Sequence, residues 1–350
     1  MRRLAGALLL AAAIAPCTAW AQGFYRLESV RNLPGAHPEW DYVTLDAAHD
    51  RLFIGRRGAG VTVVDLVPGK GAWQIANSQG ANAVALVPAS DRGYTANEDG
   101  STTVFRLSDL KTIERIRFGE DADSAFLEPG SQQLAFTMGD SHRIKFLDSR
   151  TGKETGELAI DSSKIDGTLA DGQGHLLAAL RDRDAIVRID AGHRKLLDTW
   201  ATAPCEQPTS VALDREHRRL FVGCRGAHPV LAVLDADTGK VVATQVIGRG
   251  NDGVVYDGAR HRILASNGVD ANLVVVHQDD ADHYRLEQAV TTRPGARTMA
   301  YDERDGKVYL VTAEGVVDPA LKINTAIAPL YPNRFHDETF VLLTYTMQAP

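Results

Sequence analysis

A four-strand unit repeats along the chain and constrains its fold more than any other feature. Each copy has an apolar strand, a four-residue polar turn, a second strand, a loop, a third strand and a more polar fourth strand. One copy begins "TSVALD-REHR-RLFVGCRGAHP-VLAVLD" at residue 209. Apolar residues alternate in short runs and almost never recur at helical spacing. A period of about 40 to 45 residues with four strands per unit is typical of a β-propeller blade.

One position tests the register of these units, five residues before the acid, or its equivalent, that opens the first turn. Its seven occupants are Asp41, Asn82, Asp123, Asp166, Thr209, Asp252 and Arg297. By subtraction they are 41, 41, 43, 43, 43 and 45 residues apart. Seven first strands predict an all-β, seven-bladed propeller with four antiparallel strands per blade.

The last unit lacks a fourth strand, because it ends with "TFVLLTYTM" close to Pro350. A spare strand-like segment, "FYRLESV", stands near the other end of the chain at residues 24–30. We therefore predict that this N-terminal strand completes blade seven and closes the ring. No linker or composition shift divides residues 22–350, so we expect one domain with a long loop insertion at 316–336.

The first 21 residues have the layout of a secretory signal peptide. Two arginines precede an apolar run from Leu4 to Ala15, and Ala19-Trp20-Ala21 is a small-x-small cleavage site. The run is too short for a transmembrane span. We expect cleavage near Ala21/Gln22 and a periplasmic or secreted mature protein. A twin-arginine signal and lipidation at Cys17 are the two alternatives.

Two cysteines, Cys205 and Cys224, remain after that cleavage. They are 19 residues apart, a separation that one hairpin can close, and cysteines of exported proteins usually pair. A disulfide is therefore expected, and two buried, unreactive thiols are the alternative.

Two stretches resemble the YVTN-type β-propeller repeat in their strand, polar loop, strand and D-x-x-T-G-K turn. They are "GYTANEDGSTTVFRLSDLKTIERIRFG" (93–119) and "RLFVGCRGAHPVLAVLDADTGKVVATQVIG" (219–248). The resemblance covers nearly the whole mature chain, although the fourth unit lacks the Thr-Gly-Lys turn. It implies an exported seven-bladed propeller from a family whose members are mostly non-enzymatic or uncharacterised. Propellers serve many unrelated activities, so the fold alone assigns no function.

The seven register residues are the main candidate ligand-binding site. First strands line the channel of a propeller, so these side chains should meet at one mouth. Carboxylates placed this close repel one another unless positive charge lies among them. A Ca²⁺-like ion held by Asp41, Asp123, Asp166 and Asp252 is one possibility, and a water-filled channel with solvated acids is the other.

The loops between second and third strands should form a rim around the same mouth. Their candidate binding residues are Arg56, Arg57, Glu98, His142, Arg181, Arg225 and His228. The insertion at 316–336 belongs to this set of loops, and its apolar residues indicate an ordered segment. We interpret it as a cover over the face, with a buttress of blade seven as the alternative.

Charge and motifs limit the possible functions. The net charge is −7, and it becomes −9 without the two leader arginines (36 basic against 45 acidic residues), which disfavours nucleic acid as a partner. The sequence contains no haem, zinc-protease or serine-hydrolase motif, and we therefore expect no catalytic residue. We expect a monomer that binds a protein, peptide or small ligand. A metal-dependent hydrolase of the lactonase type is the alternative. A propeller subunit of a quinoprotein or amine dehydrogenase-like complex is the second alternative.

Overall fold

The computed structural model describes residues 23–33, 35–139, 141–321 and 331–348, so the leader segment 1–21 lies outside the described residues. These residues form seven four-stranded antiparallel sheets, which confirms the predicted all-β, seven-bladed propeller. Each sheet is one blade. Neighbouring blades contact each other through their first strands, which line the channel.

The N-terminal strand is β1 (Phe24–Asn32). Blade one contains β2 (Val43–Asp46), β3 (Arg51–Gly55), β4 (Val61–Asp65) and β5 (Ala72–Gln74). Blade two contains β6 (Ala81–Val87), β7 (Arg92–Asn97), β8 (Ser101–Arg106) and β9 (Thr112–Arg117). Blade three contains β10 (Ala122–Glu128), β11 (Gln133–Met138), β12 (Arg143–Asp148) and β13 (Glu154–Ala159). Blade four contains β14 (Ile165–Ala170), β15 (His175–Leu180), β16 (Ala185–Asp190) and β17 (Lys195–Ala201).

Blade five contains β18 (Pro208–Asp214), β19 (Arg219–Cys224), β20 (Val230–Asp235) and β21 (Val241–Val246). Blade six contains β22 (Asn251–Asp257), β23 (Arg262–Asn267), β24 (Asn272–Gln278) and β25 (Tyr284–Thr291). The last strands are β26 (Met299–Asp302), β27 (Lys307–Thr312), β28 (Gly315–Val316), β29 (Arg334–Phe335) and β30 (Val341–Gln348). The described residues contain one 3₁₀ turn, Pro88–Ser90, and no helix long and apolar enough to cross a membrane.

The hydrophobic core is divided among the seven interfaces between blades. Seven clusters of buried side chains are present, and each joins two neighbouring blades. Phe53 of blade one and Phe105 of blade two, for example, pack with ring centroids 5.5 Å apart. Alternating strand residues therefore bury both faces of each blade, and no blade has a complete core by itself.

Blade seven combines both ends of the chain, as the sequence predicted. Its strand order is β1-β30-β27-β26, and Phe24 pairs with Gln348 in an antiparallel register. Tyr25 is 2% exposed and belongs to the cluster between blades six and seven. Arg31 then reaches blade one, donating hydrogen bonds to the carbonyls of Asp65 at 2.7 Å and Lys70 at 2.7 Å. The N-terminal strand thus links blade seven to both of its neighbours.

The expected disulfide is present between Cys205 and Cys224, with a Cα–Cα distance of 5.5 Å. Cys205 lies in the connection from blade four to blade five, and Cys224 ends β19. Both are fully buried. The bond therefore fixes two loops on the face of the propeller where the first strands begin.

Candidate functional site

Five register residues occupy β-bulges at the start of the first strand. The pairing of first and second strands shifts at Asn82, Asp123, Asp166, Thr209 and Asp252. A bulge leaves one residue without a partner and turns its side chain away from the regular alternation. The bulges therefore form a repeated device that points one residue per blade toward the channel mouth.

Blade one achieves the same arrangement without a formal strand pair. The amide of Asp41 donates to the carbonyl of Gly55 at 2.9 Å, and the amide of Gly55 donates to Tyr42 at 3.0 Å. Asp41 and Tyr42 thus lie opposite one residue, Gly55, as in a bulge. Small residues support this geometry, since a Cβ on Gly167 would lie 2.5 Å from the carbonyl oxygen of Thr209 in the next blade.

The four ring aspartates meet around the axis, where each one affects the pKa of others. Burial raises the pKa of Asp166 to about 7, with repulsion from Asp252 and Asp123 adding to it. Burial also raises the pKa of Asp41 to about 6, although Arg297 opposes the shift. The pKa of Asp123 is raised for the same reason. The cluster therefore contains acids that are partly neutral near physiological pH.

Each of these acids has a basic partner. Asp41 pairs with Arg57 at 2.9 Å, Asp123 with Lys164 at 3.5 Å, and Asp166 with Arg181 at 3.8 Å. Asp252 lies between two guanidinium groups, from Arg225 and from Arg297 at 3.0 Å. Five cations thus surround four carboxylates. Several pairs join neighbouring blades, so the ring stabilises the channel mouth as well as placing charges there.

Arg297 is the centre of the junction between the last and first blades. Its Nη2 donates to the carbonyl of Trp40 at 2.8 Å, and its guanidinium lies 4.9 Å from the centroid of the Trp40 ring. Burial lowers the pKa of Arg297, but Tyr331, Asp252 and Asp41 together raise it above the ordinary range of arginine. A permanently charged group is therefore fixed at the mouth.

The insertion at 316–336 reaches this junction from blade seven. Its base is the two-stranded ribbon of β28 and β29, held by Asp318 and Arg334 at 3.1 Å. Phe335 packs edge-on against Trp40 with centroids 4.9 Å apart. Tyr331 lies close enough to the Arg297 guanidinium to raise its pKa. The described part of the insertion therefore contacts the channel mouth directly. Residues 322–330 lie outside the described residues.

Besides Asp166, two register positions and one rim position are buried. Thr209 donates to the carbonyl of Asn251 at 3.0 Å, and Asn82 donates to that of Ala122 at 3.2 Å. Both hold blades together. Arg56 differs from the expectation of an accessible rim residue, because it is fully buried and lies 4.1 Å from the Phe340 ring. It packs against Phe340, donates to the carbonyl of His37 at 3.0 Å and is not available to a ligand.

The other rim residues lie around the mouth. Arg57, Arg181 and Arg225 turn inward to the ring acids. Glu98 pairs with Arg57 at 3.2 Å on the outer side. His142 and His228 are exposed. The rim thus contributes cations to the centre, and histidines and a glutamate to the periphery.

Two cavities adjoin the mouth. One of about 240 Å³ lies between blades two and three and includes Arg57, Asp123 and Lys164. The other, of about 560 Å³, lies at blades four and five. Its lining residues are Lys164, Arg181, Asp182, Asp184 and Gln207. Lys164 belongs to both, so one ammonium group borders the two spaces open to a small ligand.

The residues do not fit the Ca²⁺-like site that was one expectation. The described ranges contain no group of three His, Cys, Asp or Glu side chains placed to hold one metal ion. The acids of the ring are paired with guanidinium or ammonium groups instead. A cation would have to displace these partners, so the ring acids as paired do not form a metal site.

Sequence reasoning found the ring but missed its pairing. Arg297 is the one basic residue among the seven register positions, whereas four more cations come from neighbouring loops. Arg57 is hydrogen-bonded to Asp41 of its own blade, and Arg225 reaches Asp252 of the next. Lys164 had a visible signal, because it stands two residues before Asp166. No sequence signal marked Tyr331 apart from its position in the insertion.

No protein-family model and no curated protein matches the chain, so the YVTN-type assignment remains a proposal. Solved structures match its fold. The WD40 repeats of RRP9 superpose with a TM-score of 0.72 at 8% identity, over 91% of this chain and 97% of that one. Kuenenia stuttgartiensis hydrazine synthase gives 0.67 at 14% identity, over 79% and 94%. The Cps50 (Swd1) propeller of Myceliophteria thermophila gives 0.68 at 13%, over 93% and 100%. The chain is thus a seven-bladed β-propeller similar in fold to WD40-repeat propellers.

Proposed function

We propose that the protein is an exported, non-enzymatic binding or scaffold propeller of the YVTN type. It presents the channel mouth and the rim loops to a protein, peptide or small ligand. The observation that carries the proposal is the partly buried cluster of four acids and five cations at one mouth, beside which Phe335 of the insertion packs on Trp40. Buried charges with shifted pKa values concentrate at functional sites.

Binding explains this cluster better than hydrolysis. A metal-dependent hydrolase of the lactonase type needs ring acids that are free to coordinate an ion. Here Asp41 and Asp252 accept hydrogen bonds from guanidinium groups at 2.9 and 3.0 Å. The third interpretation, a subunit of a quinoprotein or amine dehydrogenase-like complex, has no observation of its own. We therefore favour a binding function over the lactonase and dehydrogenase alternatives.

Export is part of the proposal. The leader at 1–21 suggests it, and the buried disulfide between Cys205 and Cys224 is compatible with an oxidising compartment. The test is to recover the protein from a periplasmic extract and determine its N-terminus by mass spectrometry. We expect a chain that begins near Gln22. A cytoplasmic protein that keeps Met1 would contradict export.

Crosslinking at two faces tests the binding role. A photoreactive amino acid would replace His228, which is exposed on the rim, or His193, whose side chain is 85% exposed in a turn on the opposite face. We expect crosslinks to a partner from position 228, and their loss when Arg225→Gln changes the mouth. Position 193 is the matched control. Equal crosslinking from both faces would show that the mouth is not the binding surface.

A further inference from the structure

The short fourth strand of blade one leaves a groove beside the closing sheet. β5 (Ala72–Gln74) has three residues, whereas the fourth strands of blades two and three have six each. Blade one therefore has less outer-strand surface to cover its neighbour, blade seven. A groove of about 520 Å³ lies there, between β1, β27 and β30 of blade seven and the turn from β4 to β5. Small-molecule sites commonly have volumes of roughly 300–1,000 Å³.

The inner wall of the groove is apolar. Tyr309 and Leu342 are 5% and 3% exposed and belong, with the partly buried Leu66, to the core cluster between blades seven and one. The turn contributes Val67, which is 43% exposed, and Pro68. An aliphatic chain in the groove would cover apolar surface that water now reaches.

Three cations line the groove, and two of them have no acidic partner among the described residues. Arg31 donates to the carbonyls of Asp65 at 2.7 Å, Lys70 at 2.7 Å and Gly71 at 2.9 Å, all of which are neutral groups. These bonds use three of its five N–H groups. Lys70 is exposed in the turn, and its ammonium forms no ion pair within the part of the chain that the structure describes.

The third cation, Lys307, is already paired. Its ammonium lies 3.2 Å from Asp305 and 3.9 Å from Glu28. Among the described residues that line the groove, Glu28 is the one acid. Asp65, in the adjoining turn, uses its carboxylate to accept the amide of Val67 at 2.9 Å. Cations therefore outnumber acids in the groove, although the whole chain has a net charge of −7.

We propose that this groove binds an aliphatic monocarboxylate of medium chain length. Its carboxylate lies at Arg31 and Lys70, and its chain lies along Val67, Tyr309 and Leu342. Charge complementarity selects the head group, because a carboxylate supplies the counter-charge that the two cations lack. The apolar wall selects the tail, since an anion without a tail would leave that wall in contact with water.

The same groove disfavours ligands with two carboxylates. A second negative group would lie close to Glu28 and to the pair of Lys307 and Asp305, where no cation remains without a partner. The groove shares no residue with the channel mouth. The inference therefore goes beyond the proposed binding function and does not depend on it.

Titration calorimetry of the purified chain with decanoate tests the proposal. We expect saturable binding of one decanoate per chain. Decanol has the same chain without the charge, so it should bind at least about tenfold more weakly. Acetate has the charge without the chain, so no binding of acetate should be measurable.

Two exposed side chains of the groove give variants with matched controls. Lys70→Gln should weaken decanoate binding about fivefold. Lys153→Gln is its control, because Lys153 is exposed at the same position of the corresponding turn in blade three, five residues after the acid that opens the turn. Val67→Ser should weaken binding about threefold. Its control is Val246→Ser, at an apolar side chain that is 78% exposed on blade five.

The remaining outcomes overturn the proposal. Decanoate that does not bind would remove the site. Decanol that binds as tightly as decanoate would remove the role of the cations. Equal weakening by Lys70→Gln and Lys153→Gln would assign the binding to general surface charge, and equal weakening by Val67→Ser and Val246→Ser would assign it to adsorption on exposed apolar side chains.

Discussion

The two ends of the first strands both carry buried aspartates, but these aspartates differ in the hydrogen bonds that they accept. Asp166 at the channel mouth and Asp214 at the far turn are 6% and 1% exposed. Asp214 accepts bonds from the amide of Glu216 at 3.0 Å and from Gln278 at 2.9 Å. Asp166 is reached by one hydroxyl, from Tyr42 at 3.4 Å, and by a guanidinium at 3.8 Å. Similar burial therefore has different consequences, depending on the donors available.

The pKa values record this difference. Burial alone would raise the pKa of Asp214, but hydrogen bonds from Gln278 and His217 hold it below the usual range. At the mouth, burial raises the pKa of Asp166. Carboxylates at the far turns hence stabilise the fold as ordinary turn acceptors. At the mouth, Asp166 has only long contacts to its donors, and a buried acid with a raised pKa is typical of a functional site.

The largest loss of stability should come from removing the N-terminal strand, which affects both ends of the strands together. Removing all residues before Arg31 deletes most of β1 and exposes the edge of β30. We expect a loss of more than about 5 kcal/mol in the free energy of unfolding, because buried Tyr25 and a full strand pairing disappear. Thermal melting followed by circular dichroism measures it. A truncated chain that melts within a degree or two of the full chain would show that closure is unimportant.

Substitution at the far turn should cost less, but still a large amount. Asp214→Asn removes the charge that accepts bonds from two turn amides and from Gln278. We expect a loss of about 2–4 kcal/mol at pH 7, measured by urea denaturation. The exposed Asp237→Asn is a suitable control with little expected change. An Asp214→Asn variant as stable as the wild type would remove the distinction between the two ends.

The disulfide should stabilise the loops on the mouth side to a comparable degree. Cys205→Ser with Cys224→Ser opens a loop of 19 residues, which predicts a loss of about 3 kcal/mol. Urea denaturation of the double variant measures it, with reduced wild type as the matched comparison. Agreement between these two would assign the effect to the bond. Unchanged stability in both would mean that the buried packing alone holds these loops.

The smallest effect on stability should be a gain, from a substitution of Asp166. The folded pKa of Asp166 lies above its unfolded value of 3.8, so its contribution to stability is full below that value and is lost as pH rises toward 7. Asp166→Asn should therefore gain stability relative to the wild type as pH rises, by about 1–3 kcal/mol between pH 5 and pH 8. Melting temperatures at the two pH values check this. A variant destabilised at pH 8 would mean that the ring acid is satisfied after all.

The periodic pattern of the sequence was sufficient to predict the architecture. Seven first strands, the completion of blade seven by β1 and the bond between Cys205 and Cys224 all follow from spacing, and all are confirmed. These features depend on short-range alternation and on counting. They are insensitive to the exact position of any one side chain.

The details of the mouth depend on geometry that alternation does not encode. A bulge at Asp123 or Asp252 adds one residue without changing the apolar pattern around it. Contacts between blades, such as Lys164 with Asp123, depend on loop conformation. Burial of Arg56 depends on Phe340, which is distant in sequence. Sequence thus predicted which residues approach the mouth, but not how they neutralise one another.

The closing sheet also governs the order in which the molecule can be completed. Phe24 is made more than 300 residues before Gln348, yet the two residues are partners. During synthesis β1 has no partner until β30 has been made, and its exposed edge must remain unpaired over that time. Blades one to six can assemble in sequence from neighbouring segments. The ring as a whole, however, closes only when β30 becomes available to β1.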